Sequence, residues 1–396
     1  MSGMVGRTSG EAMAHFSAAE FKSRQKKTTA ELARRGLDGL LLFKQESMYY
    51  LAGYETFGYC FFQAMYLGVD GAMVLLTRLP DAILARRVSV LKPKNIHVWT
   101  NLPDANPSLD LRRLLDAHRC RGKRLGIEYD AYGLTGAIHR KLSAALQDFC
   151  HLEDASDLVT RLRYVKSPAE IAAIRKAAAM ADAALVQANR LAVSGAFEGD
   201  ILAAMQGEMF KRDGDWPGND QIIGSGEMAL VGRYVSGRQR LKKSDQLTIE
   251  WAGSYHRYHA AMMRTILVGK PKPKQVELHK VAVDAHRASV AALKPGNTCG
   301  DVFAAYARVC DKHLSPKHRL TATGYGMGAV FQPTWMDWPM FYRDNPVVIE
   351  PGNTFFIHTA IFDETRGLAM APGQSYVVTR KGAEPLSKSA LDLAVN

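Results

Sequence analysis

Short apolar runs alternate with longer amphipathic stretches through residues 17–150. DGLLLF (38–43), AMVLLT (72–77) and RLGIEY (124–129) are each of strand length and rich in residues that favour buried strands. Around them, residues 18–35, closing at Gly36, and residues 108–118 and 134–148 carry helical patterns. Strands alternating with helices predict an α/β layer.

The pattern changes at RLRYVKSPAEIAAIRKAAAMADAAL (161–185). Ser167 precedes Pro168 with Glu170 behind, which is a helix start, and the alanine-rich run after it predicts a long helix opening a second domain. The expected division is an N-terminal domain, 1–160, and a C-terminal domain, 161–396. In the latter, the spacing predicts helices at 198–212, 274–293 and 299–314, and strands at 220–224, 229–235, 246–251, 353–362 and 374–380. A hairpin is expected over 255–269, and no short-period repeat runs through the chain. The fold class read from this is α+β, a small α/β domain followed by a mixed one.

Composition narrows the setting. The 396 residues are 47% hydrophobic and 23% charged, an ordinary balance with room for two cores. Five cysteines, odd in number and without a CxxC pair, argue against a disulfide framework or zinc knuckle and for a reducing compartment. No run approaches the roughly 18 apolar residues of a membrane span. The opening MSGMVGRTSGEAMAHFS lacks a signal pattern, so the expected location is cytoplasmic and no membrane partner is expected. The net charge of +12 is spread over short clusters at 22–27, 117–124, 237–243 and 270–274. None forms a sustained basic helix or an aromatic-basic signature, so the reading is a solvated surface with a pull on anions, and no nucleic-acid partner.

LTIEWAGSYHRYHAAMMRTILVG (247–269) carries the chemistry: strand-like, turning at Gly253, and strand-like again, with one acid, Glu250, and an alanine, Ala261, eleven positions on. The segment IEWAGSYHRYHAAMMRT resembles the first metal-binding segment of the creatinase/aminopeptidase P/methionine aminopeptidase family, whose fold is the pita-bread fold. Further landmarks follow in family order: RYVKSPAEIAAIRKAA (163–178), GYGMG (324–328), EPGNTFFIH (350–358) and GQSYVVT (373–379). The resemblance covers residues 163–380 well, and the N-terminal half is compatible with the small domain of the same family.

The resemblance implies metal ligands at five positions, which here hold Glu250, Ala261, Tyr325, His358 and Gly373. A pair of divalent ions needs several hard oxygen ligands. One carboxylate, one phenol and one imidazole do not supply them, so neither a metal nor another cofactor is expected. GYGMGAVFQPTWMD (324–337) and MYYLAGYETFGYCFFQ (48–63) resemble the ectoine hydrolase branch of the family, which with creatinase hydrolyses C–N bonds in small zwitterions. The family's upstream catalytic histidine falls on Arg233, seventeen positions before Glu250.

Strand parity places Arg257, His259 and Met263 on the face of Ala261, with His259 able to fill the room of the missing acid. The expected catalytic set is Glu250, His259, His358 and Tyr325, and the expected substrate contacts are Arg233, Trp335, Tyr258 and Gln63. Glu250 with a histidine offers a base and an acid, Tyr325 a donor, and Arg233 a clamp for a carboxylate. Plainer roles stand beside these: Glu250 in a buried ion pair, His358 as a core histidine, His259 at the surface, and Trp335 with Trp338 as packing. The function expected is metal-independent hydrolysis of a C–N bond in a small zwitterionic or cyclic amidine or guanidino compound, by a homodimer. The alternatives are a ligand-binding protein without turnover, a lyase, or an Xaa-Pro peptidase of the same family.

Overall fold

The computed structural model describes residues 13–235 and 237–396. The chain divides into two compact units, one ending at Arg163 and the other beginning at Tyr164.

The first unit is built on β1 (Gly39–Leu42), β2 (Ala64–Gly68), β3 (Met73–Thr77), β4 (Ile96–Val98), β5 (Arg124–Ile127) and β6 (His151–Asp154). They form one mixed sheet in the order β4-β3-β2-β1-β5-β6, with β1 antiparallel to β2 and parallel to β5. Its helices are α1 (Ala18–Arg34), α2 (Gln45–Ala52), α3 (Leu79–Val88), α4 (Pro107–Ala117), α5 (Gly136–Leu146) and α6 (Leu158–Leu162). Alternate residues of the strands feed two apolar cores: Leu40 and Leu42 join one, Leu41 and Phe43 the other. Gln63 lies inside this unit. It donates to Gln45 Oε1 at 2.7 Å and accepts from Tyr54 Oη at 3.0 Å, so its amide is spent on a buried polar network.

The second unit opens with α7 (Pro168–Leu191), started by a reciprocal capping box between Ser167 and Glu170. After α8 (Glu198–Phe210) come β7 (Ile222–Ser225), β8 (Asp245–Tyr255) and β9 (Tyr258–Val268). Helices α9 (Pro273–Ala292) and α10 (Cys299–His313) follow. The remaining strands that matter here are β10 (Ala322–Gly326), β11 (Asp337–Tyr342), β12 (Thr354–His358), β13 (Ile361–Asp363), β14 (Leu368–Met370) and β15 (Gly373–Thr379). The sheet runs β11-β10-β12-β15-β9-β8-β7, while β13 and β14 form a separate ribbon.

Three local expectations are corrected. The turn of the β8–β9 hairpin is His256–Arg257, both at positive φ, and not Gly253. Gly253 lies within β8, where α7 packs so closely that a Cβ would stand 2.0 Å from the Ala177 carbonyl oxygen. Arg257 is therefore a turn residue and shares no strand face with Ala261. The strand expected over 229–235 is absent; a single-turn helix, Gly226–Leu230, leads instead into a loop. The run 353–362 is broken after His358, where Thr359 donates its hydroxyl to the Ala282 and Pro372 carbonyls, and β13 leaves the sheet.

Candidate active site

Five strands lay the floor of the site. Glu250 on β8 pairs with Met263 on β9, Met263 with Gly373 on β15, and Gly373 with His358 on β12, one row across the sheet. In the neighbouring row Tyr325 on β10 pairs with Phe356, and Ala261 with Ala252. Cross-strand partners share a face, as do side chains two apart on one strand. Glu250, Met263, His358, Tyr325, Phe356 and Ala261 therefore all project to the same side.

That side borders a cavity of about 410 Å³, within the range of small-molecule sites. Glu250, Tyr325, His358 and Trp335 line it, Arg233 reaches it from the loop after Leu230, and Met263, Met336, Met340 and Phe362 make much of the rest apolar. Trp335 is fully buried and is set by its main chain, whose amide donates to Asn219 Oδ1 at 3.0 Å. Asn219 lines the same cavity.

A directed hydrogen-bond chain ends on the carboxyl. Trp335 Nε1 donates to Tyr325 Oη at 2.8 Å, and Tyr325 Oη donates to Glu250 Oε1 at 3.1 Å. An indole N–H only donates, so the phenol accepts there and sends its own proton to Glu250. No described residue donates to Oε2 of Glu250.

Burial pushes the Glu250 carboxyl up to about 7, against the opposing effects of the Tyr325 hydrogen bond and the Arg233 charge. Burial, and after it the Arg233 charge, brings the His358 imidazole down to about 4. Its Nδ1 has no hydrogen-bond partner among the described residues. Burial and the adjacent Glu250 charge hold the Tyr325 phenol well above its ordinary range. Near neutral pH the site thus offers a carboxyl that can take or release a proton, a neutral imidazole, a phenol that keeps its proton, and an exposed guanidinium.

The cavity brings together Glu250, His358, Tyr325, Arg233 and Trp335. It does not include His259, Tyr258 or Gln63. His259 is on the expected face but opposite Ser254, two positions before Ala261, where its Nε2 accepts the Gly218 amide at 2.9 Å. Burial brings its imidazole down to about 4, as an accepting nitrogen requires. Its role is to fix the loop that carries Asn219. Tyr258 donates its hydroxyl to Glu170 Oε1 at 2.7 Å and fastens β9 to the start of α7. Asn219 and Phe362 line the cavity without having been singled out, and Met263, placed by parity on the face of Ala261, lines it without having been expected to touch substrate.

The residues do not fit the metal pair that the family resemblance implies. Ala261, Met263 and Phe356 belong to one apolar cluster with Tyr325 and Trp335. A Cβ on Gly373 would stand 2.7 Å from the Phe356 ring and 2.8 Å from Met263 Cβ, so the room for a bridging carboxylate is filled. Among the described residues no three His, Cys, Asp or Glu side chains gather as ligands would.

Comparison with known proteins agrees with this architecture. Residues 24–165 match the creatinase/prolidase N-terminal domain, and residues 172–380 match metallopeptidase family M24. Over 96% of its length the chain is 27% identical to an uncharacterized hydrolase/peptidase of Sinorhizobium fredii, covering 98% of that protein. Over 94% it is 25% identical to the ectoine hydrolase of Halomonas elongata, covering 96% of that protein. In fold it is similar to a recombinant prolidase from Thermococcus sibiricus, with a TM-score of 0.85 at 18% identity over 96% of this chain and 100% of that one.

Proposed function

The chain belongs to metallopeptidase family M24, a small α/β domain followed by a pita-bread domain, and on that premise we propose that it hydrolyses a C–N bond without a metal ion. The substrate class is a small amide, amidine or guanidino compound that carries a carboxylate. The carrying observation is Glu250: one oxygen held by Tyr325, the other without a donor among the described residues, and a proton affinity near neutrality. That is what a general base for water requires. The likeness to an ectoine hydrolase over nearly the whole chain supports the same class.

In this reading Arg233 holds the substrate carboxylate, and the apolar walls hold its body. Water held at the free oxygen of Glu250 gives it a proton as the new C–O bond forms, and the π electrons of the attacked carbon move to its heteroatom. Collapse of the tetrahedral centre breaks the C–N bond. The electron pair leaves with nitrogen, which takes the proton back from Glu250, so one water is consumed and the carboxylate is restored. His358, neutral near pH 7, offers an N–H to the charge that develops.

The protein is read as a cytoplasmic homodimer. No described helix is long and apolar enough to cross a membrane. In the first unit Phe57, Phe61, Leu79 and Ile83 expose large apolar side chains, as self-association would require.

Ligand binding without turnover is the competing reading, favoured by the apolar filling around Met263 and Phe356. A panel of ectoine, guanidino acids, betaines and Xaa-Pro dipeptides separates the readings when scored for thermal stabilisation and for hydrolysis, with metal analysis alongside. The proposal expects hydrolysis of a non-peptide member that survives chelator. Xaa-Pro cleavage that depends on added manganese would overturn it, and stabilisation without hydrolysis by any member would assign the site to binding.

A further inference from the structure

The loop that carries Arg233 is closed at its base by one side chain. Residues 226–235 leave β7 after Ser225, the described chain resumes at 237 and reaches Gln239, and between these ends Gly232 and Arg233 border the cavity. Glu198, in the first turn of α8, is completely buried. It accepts the Ser225 amide on Oε1 at 2.7 Å and the Gln239 amide on Oε2 at 3.0 Å. Its own amide donates to the Gln239 carbonyl at 3.0 Å.

Both oxygens of one carboxylate are thus spent on main chain, one at each end of the loop. No described lysine or arginine pairs with Glu198, and Glu198 does not border the cavity. A carboxylate suits this task because both its oxygens accept, whereas an amide would turn a donor toward one of the two N–H groups. Closer to Arg233, the Ile223 amide holds the Tyr234 carbonyl at 3.1 Å. The Arg233 side chain itself is exposed and makes no ion pair with a described acid, so its place depends on the loop beneath it.

We propose that Glu198 is a positioning residue: by holding the Ser225 and Gln239 ends of this loop it sets where the Arg233 guanidinium stands relative to Glu250. The proposal rests on the role given to Arg233 above, and its test needs no substrate. Trp335 is bonded to Tyr325 and Tyr325 to Glu250, so the emission lost in Trp335→Phe follows the ionisation of Glu250. The other titrating groups that face it, His358 and Tyr325, titrate well below and well above neutrality.

Arg233→Met is expected to raise that midpoint, because the guanidinium favours the ionised carboxyl. Glu198→Gln is expected to raise it in the same direction and to speed amide exchange across 225–239 by roughly tenfold or more. The double variant should lie no higher than Arg233→Met alone. Faster exchange with an unmoved midpoint, in a protein where Arg233→Met moves it, would make Glu198 merely structural and reject the proposal. A midpoint unmoved by Arg233→Met removes Arg233 from the site, and rejects the functional reading of that residue as well. Should Glu198→Gln fail to fold, exchange in the unaltered protein decides: the Ser225 and Gln239 amides must outlast those of 227–235, and equal rates reject the clamp.

Discussion

Met263 and Gly373 are cross-strand partners packed so tightly that a Cβ on the glycine would stand 2.8 Å from Met263 Cβ. The place where the family resemblance puts a bridging carboxylate is therefore occupied by hydrocarbon.

Restoring an acid should therefore not restore a metal centre. Ala261→Asp would place a carboxylate in the apolar cluster of Met263, Phe356 and Trp335, at a cost of about 2–5 kcal/mol. Gly373→Glu would overpack the same region by about 1–3 kcal/mol or more. Both variants should melt earlier and bind no stoichiometric manganese in metal analysis. A manganese-dependent peptidase arising from Ala261→Asp would show that the strands have been matched wrongly to the family.

Glu250→Gln separates chemistry from stability. Turnover of the substrate found by the panel should fall by on the order of 10²–10⁴ while its affinity changes little. The Glu250 carboxyl is raised from 4.5 to about 7 on folding, so the folded state binds its proton more tightly than the unfolded one. Its favourable contribution is complete below pH 4.5 and is lost as pH rises through 7. At about 1.4 kcal/mol per unit, Glu250→Gln should gain up to ~3 kcal/mol on the natural protein above neutrality, read from denaturation midpoints. Equal turnover with a lowered melting temperature would instead assign Glu250 a structural role.

The buried histidines set the opposite limb. His358 and His259 are brought down to about 4 and His286 to about 3, each mainly by burial. A depressed imidazole contributes stability that is complete above its ordinary value of 6.5 and is lost as pH falls toward 4. Acid unfolding should therefore steepen below pH 6.5, and His259→Asn should flatten that limb while lowering stability at neutral pH. A limb unchanged in His259→Asn would mean that burial does not hold this ring neutral.

Self-association is expected to use the first unit. Phe57 is 78% exposed, and Phe61, Leu79 and Ile83 are also open to solvent. Sedimentation should give a dimer at micromolar concentration, and Phe57→Asp combined with Phe61→Ser should shift it to monomer. A monomeric natural protein would remove this part of the reading.

Much of the site was legible because family landmarks occur in order, and their positions carry Glu250, Tyr325, His358, Arg233 and Trp335 to one cavity. Local pattern did less. Gly253 carries an ordinary turn signal, yet its reason is the approach of α7, which no local spacing encodes. β4 and β6 are short and partly exposed, so they lack a run of buried strand formers. Parity correctly put His259 on the face of Ala261, but only the three-dimensional path of residues 216–221 shows that this loop covers it.

The direction of the Trp335–Tyr325 chain gives the Glu250 carboxyl two unlike sides. A proton placed on Oε1 would turn a donor against the phenol, whose own proton would lose its acceptor among the described residues. Oε2 carries no such conflict, so in the proposed reaction the proton is traded through that single oxygen. A group symmetric by its bonding thereby presents one committed edge and one open edge to the cavity.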